Sequence, residues 1–240
     1  MKIVRFLRTE KNNHMKAILF SSLLFLIPTF VTAQISFDGG TGVLKGFGAP
    51  KSFGNLHFGI EVPRSTDQSV YGRFSYFFPV TESTTQSTFV TGNSPNVNPY
   101  NLTVNYDRST NYALFEAGTR KYMGNDFDFG FAGYTGTNVM VIVNKVKNVY
   151  STTDVTGLYT WADNYSLSPS EEREGTILSL ALGLQIGVKY TFPAIGTVYA
   201  DLSGQYLLTK PTASNFTASQ TQLLSSLFVI FNVGFRKDLY

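Results

Sequence analysis

Residues Thr176 to Phe192 read T-I-L-S-L-A-L-G-L-Q-I-G-V-K-Y-T-F. From Leu178 on, every even position is apolar: Leu178, Leu180, Leu182, Leu184, Ile186, Val188, Tyr190 and Phe192. The odd positions between them are small or polar: Ser179, Ala181, Gly183, Gln185, Gly187, Lys189 and Thr191. Period two marks a β-strand with one apolar face. A strand in a globular protein typically runs about 5–6 residues, whereas one that crosses a membrane needs about 9–11. The aromatic pair Tyr190 and Phe192 closes the apolar face, where a transmembrane barrel keeps its interfacial girdle. This segment points to a β-barrel of the outer-membrane type.

The N-terminus carries a separate signal. Met15-Lys16 precedes an apolar run, Ala17 to Val31, broken by Ser21, Ser22, Pro28 and Thr29, and Val31-Thr32-Ala33 follows. That is a basic n-region, an h-region and a signal-peptidase site, with cleavage expected after Ala33. An uncleaved membrane anchor is the competing reading, but the run is too short and too interrupted for the roughly 20 apolar residues it needs. Residues 1–33 are therefore read as a leader whose natural start is Met15, and residues 34–240 as one barrel domain. The leader holds Lys2, Arg5, Arg8, Lys11 and Lys16 against Glu10; of the chain's 19 basic and 16 acidic residues, 14 and 15 remain. The basic excess belongs to the leader, so charge makes no case for a nucleic-acid partner. There is no Cys, which excludes disulfides, thiolate metal sites, a Cys nucleophile and lipoprotein anchoring. The chain has 21 Phe and 14 Tyr with 15% charged residues, yet the mature part has no uninterrupted apolar stretch long enough for a transmembrane helix.

The alternation predicts eight strands, all antiparallel in an up-and-down barrel. They are Gln34–Leu44, Phe53–Val62, Ser69–Val80, Asn111–Met123, Asp126 to about Asn144, the opening segment, Thr197–Leu208 and Leu223–Arg236. The outward sets include Val70, Phe74, Tyr76, Phe78 and Val80 on the third strand, and Phe127, Phe129 and Phe131 on the fifth. Pro63–Gln68, Gly124-Asn125 and Pro193–Gly196 are short connections; Ala49–Ser52, Thr81–Thr110, Lys145–Gly175 and Thr209–Gln222 are longer. Short periplasmic turns alternating with long external loops are the habit of outer-membrane barrels, and an even strand number puts both termini on one side.

Opposite the apolar set lie Glu61, Arg73, Glu116, Arg120, Asp128, Lys189, Asp201 and Arg236, four acids and four bases. An eight-stranded barrel has an interior just wide enough for side chains. Unpaired buried charge costs several kcal/mol, so these eight are expected to form an interior ion-pair plug. Asn55, His57, Ser75, Gln185, Ser203, Gln205 and Asn232 are expected to complete its hydrogen bonding.

The start after Ala33-Gln34, the Gly-rich Asp38–Gly42 stretch, G-L-Q-I-G-V-K-Y-T-F and the closing F-N-V-G-F-R resemble the small outer-membrane β-barrel proteins common in Bacteroidetes, relatives of the eight-stranded OmpA/OmpX-type barrels. The resemblance spans roughly residues 34–240. It implies residence in the bacterial outer membrane, contact with its lipid, and insertion by the barrel-assembly machinery, which reads a C-terminal aromatic. It implies no single activity. Here the outward series Val229, Phe231, Val233, Phe235 matches that signal better than the terminal Tyr240, with Arg236–Tyr240 as a tail.

Chemical motifs are sparse. His57 is the sole His of the mature chain. A lipid-modifying enzyme would need it on the outward rim with a Ser and an acid, whereas its phase points inward beside Glu61. Gly39–Gly46 lacks the G-K-[ST] order and the following helix of a phosphate loop. Glu171-Glu172-Arg173-Glu174 reads as a solvated loop end, with a cation or lipopolysaccharide-bridging site as the alternative. Tyr150, Tyr159, Trp161 and Tyr165 on an external loop suit surface contact, headgroup anchoring or capping of the mouth. No cofactor, metal or catalytic residue is expected. The leading expectation is a structural or surface-interaction barrel with a filled lumen. The alternative is a narrow conduit for small apolar molecules, and an outer-leaflet lipid enzyme ranks third.

Overall fold

The structure is a computed structural model that describes residues 35–47, 51–96, 100–151, 158–161, 170–209 and 226–239. The strands are β1 (Ile35–Gly46), β2 (Ser52–Pro63), β3 (Gln68–Gly92), β4 (Tyr100–Gly124), β5 (Gly130–Tyr150), β6 (Tyr159–Trp161), β7 (Glu172–Phe192), β8 (Gly196–Leu207) and β9 (Leu227–Leu239). All pairings are antiparallel, and the order β2-β1-β9-β8-β7-β5-β4-β3 closes because β2 also pairs β3. Eight strands thus form a ring, and β6 adds only three residues to the far end of β3. Closure leaves no open edge in the ring, and every ladder hydrogen bond is made within the wall.

Sidedness is inverted relative to a soluble protein. Leu178, Leu180, Leu182, Leu184, Ile186 and Val188 stand on the exterior, while Gln185, Lys189 and Thr191 of the same strand are buried. The turns 64–67, 125–129 and 193–195 lie at one end, where Ile35 also pairs Leu239. At the turn after β7, Ala194 takes the left-handed conformation (φ 64). Lys237 Nζ donates to the carbonyls of Ala194 and Ile195 at 2.8 and 2.9 Å, clamping this turn against β9.

Several expected bounds are corrected. Most of the stretch 81–110 is strand, not loop: β3 and β4 stay paired to Val90↔Tyr100. Lys145–Tyr150 and Glu172–Gly175 likewise pair, out to Val149↔Glu172. The ladder β2–β3 reaches only Asn55↔Phe77, and β7–β8 begins at Ala181↔Leu207. Four adjacent strands therefore rise above the ring as a sheet. The upper part of β3 is largely Thr and Ser and shows no apolar stripe; β4 does alternate, at Tyr100, Leu102, Val104 and Tyr106, and Val104 and Tyr106 are buried with Tyr150, but the polar composition around that short run hides it as a strand. The register of β3 slips by one residue between Phe77 and Val80. Such a bulge reverses which face the later residues occupy. Val80 therefore leaves the outward set and packs against the interior cluster. Pro79 sits where β3 loses its β2 neighbour, a place that tolerates a missing N–H. At the other end, Asp126–Phe129 is turn rather than strand, so Phe127 tucks under the barrel instead of facing outward. Arg236–Leu239 is strand and not a tail, while Tyr240 lies outside the described residues.

Candidate functional site

The inward side chains fall into two tiers. Near the short-turn end, Glu61 accepts from Arg120 Nη1 at 2.6 Å, from Arg236 Nη1 at 3.4 Å, and from the hydroxyls of Tyr122 and Ser69. Asp201 accepts from Arg73 Nη2 and Asn232 Nδ2, each at 2.9 Å, and from Tyr134 at 3.3 Å. Glu116 takes the Tyr71 hydroxyl and the Asn138 amide, with Arg73 at 3.9 Å. Tyr199 donates to Asp38 at 2.9 Å, and His57 Nε2 donates to Tyr199 at 2.7 Å. Arg236 Nε lies 3.2 Å from Asp238. Each of these five carboxylates is within 3.9 Å of a guanidinium nitrogen. That is the condition under which buried charge is tolerated.

The arginines are also held by rings. Arg120 is 4.1, 5.1 and 5.9 Å from the Tyr71, Tyr134 and Tyr199 centroids, and Arg236 lies 3.7 Å over Phe127. Glycines make the room. Gly187 and Gly234 stand opposite Tyr134 and Tyr199 on neighbouring strands. A Cβ at Gly187 would come 2.3 Å from the Tyr134 ring, and one at Gly234 would come 2.5 Å from the Tyr199 hydroxyl.

Above this tier lies a mainly apolar layer, with the buried amides of Gln205 and Asn144 on strand positions opposite Phe228 and Tyr112. Leu44, Phe53, Phe77, Tyr112, Leu114, Met140, Ile142, Ala181, Leu207, Phe228 and Ile230 form one buried cluster. The Tyr112 ring meets Phe53 edge-on at 4.9 Å.

Of the eight expected interior charges, Glu61, Arg73, Glu116, Arg120, Lys189, Asp201 and Arg236 are buried. Asp128 is not: it is exposed in the β4–β5 turn. Partial burial, and secondarily the charge of Asp238, raises its carboxyl pKa. Lys189 differs from expectation in its partners. Its Nζ donates to the carbonyls of Asp126, Phe127 and Phe129 at 2.7–3.2 Å and to Thr191 Oγ1 at 3.0 Å, anchoring the turn from within. His57 bonds Tyr199 rather than Glu61, and from inside the barrel it cannot serve an outward-rim lipid site. Sequence reasoning does not single out Asp38, Asp238 or the four tyrosines. Asp38 lies in a Gly-rich stretch whose alternation is hidden by glycine, and the tyrosines, though in inward phase, look apolar.

The expected surface aromatics divide differently. Tyr150 is only 1% exposed, on the inner face of the raised sheet, with its ring 5.4 Å from Tyr106. It is therefore a packed residue, not a surface contact. Tyr159 and Trp161 end the short β6, whose backbone pairs Gly92 and Val90; Tyr165 lies outside the described residues.

No protein-family profile matches the sequence, and no curated protein matches it. Solved structures do. A major outer membrane protein from Thermus thermophilus is 9% identical, with a TM-score of 0.52, over 85% of this chain and 99% of that one. Neisserial surface protein A is 10% identical with a TM-score of 0.43, over 85% of this chain and 95% of that one. The N-terminal β-barrel domain of Pseudomonas aeruginosa OprF is 12% identical with a TM-score of 0.39, over 85% of this chain and 97% of that one. The fold thus belongs to the class of small antiparallel barrels found among outer-membrane proteins. At these identities the likeness concerns the fold alone.

Proposed function

We propose that the protein is an outer-membrane barrel with a closed lumen, serving a structural or surface-interaction role. Residues 34–240 form the mature domain, and the leader 1–33 is removed on export. The observation that carries this reading is the stacking of two unlike tiers inside one narrow ring. An ion would have to part the guanidinium–carboxylate network of Glu61, Arg120, Asp201 and Arg73 and then cross the mainly apolar layer around Leu114, Met140 and Phe228. A hydrophobic constriction opposes ion passage by excluding water. The outward apolar band supports burial in lipid, and the raised sheet β3-β4-β5-β7 supplies surface beyond the bilayer. Planar-bilayer recording of the refolded protein is the test. The expected result is little or no current; large, steady wild-type channels would overturn the closed lumen and favour a conduit.

A further inference from the structure

Outside the ring, at its short-turn end, a groove of about 510 Å³ runs across β3, β4, β5 and β7. One cross-strand row sets Val70, Thr119, Thr137 and Leu184 side by side. Val70 and Leu184 stand exposed as its walls; Thr119 and Thr137 make a low floor, two strands wide. Strands lie about 4.8 Å apart, so the two walls stand three spacings, roughly 14 Å, from one another, and the floor between their side chains is broad enough to seat an extended hydrocarbon chain. Its lining includes two exposed cations, Arg64 and Lys121, and neither has an ion-pair partner among the described residues. Of the other exposed bases, Lys147 lies 2.7 Å from Glu172 and Lys237 holds two carbonyls, while Lys51 and Lys145 stand away from this groove and do not line it.

We infer that this groove binds one anionic phospholipid of the adjacent leaflet, an acyl chain lying on the threonine floor and the phosphate between Arg64 and Lys121. The inference rests on the membrane-barrel reading above. Apolar walls that end at unpaired cations have the polarity of a phospholipid, apolar below and anionic at the head. A second copy of the chain is the other conceivable occupant, and charge opposes it. Two copies in one bilayer share an orientation, so a symmetric pair is related by a two-fold axis along the membrane normal. That axis would bring both Arg64–Lys121 pairs to one depth, face to face, where like charges repel.

Native mass spectrometry of the full chain refolded in micelles doped with phosphatidylglycerol or phosphatidylcholine tests this. The wild type is expected to retain one phosphatidylglycerol in preference to phosphatidylcholine. A basic side chain at a membrane surface gives about fivefold in affinity. Arg64→Gln and Lys121→Gln should each lose retention by about that factor, and the double variant by roughly its square. Thr137→Leu, which fills the floor and keeps both charges, should also lose it, while Lys145→Gln at the opposite rim should not. Equal retention of the two lipids by the wild type overturns the inference, and so does a lipid-free dimer. Failure of the wild type to insert into vesicles would instead sink the membrane reading; insertion without lipid preference sinks only this inference.

Discussion

Arg120 shows how one side chain can organise a lumen. It donates to Glu61 at 2.6 Å and to Gln185 Oε1 at 3.2 Å while facing three tyrosine rings. Arg120→Ala takes away the nearest cation of Glu61, leaving it Arg236 at 3.4 Å, and empties the space between those rings. Breaking a buried pair in this way costs about 3–5 kcal/mol, and urea unfolding in micelles should register the loss. Asp128→Asn is the contrasting change. Its raised pKa means that ionising it works against the fold, so stability falls as pH rises through the carboxylate range and none is held by the charge. That variant should unfold within about 0.5 kcal/mol of wild type at neutral pH. A large loss would show that Asp128 belongs to the network after all. Gly187→Ala should resemble Arg120→Ala in direction, because its Cβ displaces Tyr134.

Elements carry the two-sidedness of the wall. Leu184 is 69% exposed on the outer face of β7 and Gln185 is 1% exposed on the lumen side. Leu184→Arg puts charge on the lipid face at a cost of roughly 2–4 kcal/mol near the bilayer midplane. By strand phase alone, Gln185→Arg reads as the milder change if a partner is available. The structure instead places Gln185 against the Arg120 guanidinium, so the added cation meets a like charge. Both variants should therefore shift the folded band in heat-modifiability gels; Gln185→Leu, uncharged on either count, should shift it less. The raised hairpin of β3 and β4 answers to another rule. It is held by its own ladder and by polar pairs such as Ser83 with Asp107 (2.7 Å) and Thr85 with Asn105 (3.0 Å). Removing residues 86–104 and closing the hairpin with a short turn should leave barrel assembly intact. Loss of heat-modifiability on that truncation would mean that the extension helps the ring to form. In the β7–β8 turn, Ala194→Gly relieves a left-handed residue, a strain of about 1–2 kcal/mol, and should raise the urea midpoint.

For the whole molecule, the wall and the filling are complementary. The ring satisfies its backbone by closure, and the filling satisfies its charges by pairing before they meet a second, apolar tier. Neither tier alone makes a pore when weakened slightly. Met140→Ala leaves a cavity worth about 2–5 kcal/mol in stability, but the ion network beneath it persists, so bilayer current should stay near zero. A conducting Met140→Ala would assign the seal to the apolar tier alone.

Period two was enough to place the ring strands, their faces and most of the interior charges, because each residue's side of the wall follows from its own position along the strand. Leu184 out and Gln185 in could be read without a partner. Three matters could not. The bulge at Phe77–Val80 turns Val80 inward; Pro79 marks an edge or a bulge there, but not that the ladder resumes with its faces exchanged, because the slip arises where β3 outlives β2. The extension is polar along β3, and its apolar inner contacts, Val104 and Tyr106 with Tyr150 and Val146 with Ile177, join residues of different strands, so its order shows only once the ladder is formed. The partners inside the lumen, Lys189 with turn carbonyls and Tyr199 between His57 and Asp38, join residues far apart in sequence. Alternation tells which side chains enter the barrel; only closure at a particular register decides which of them meet.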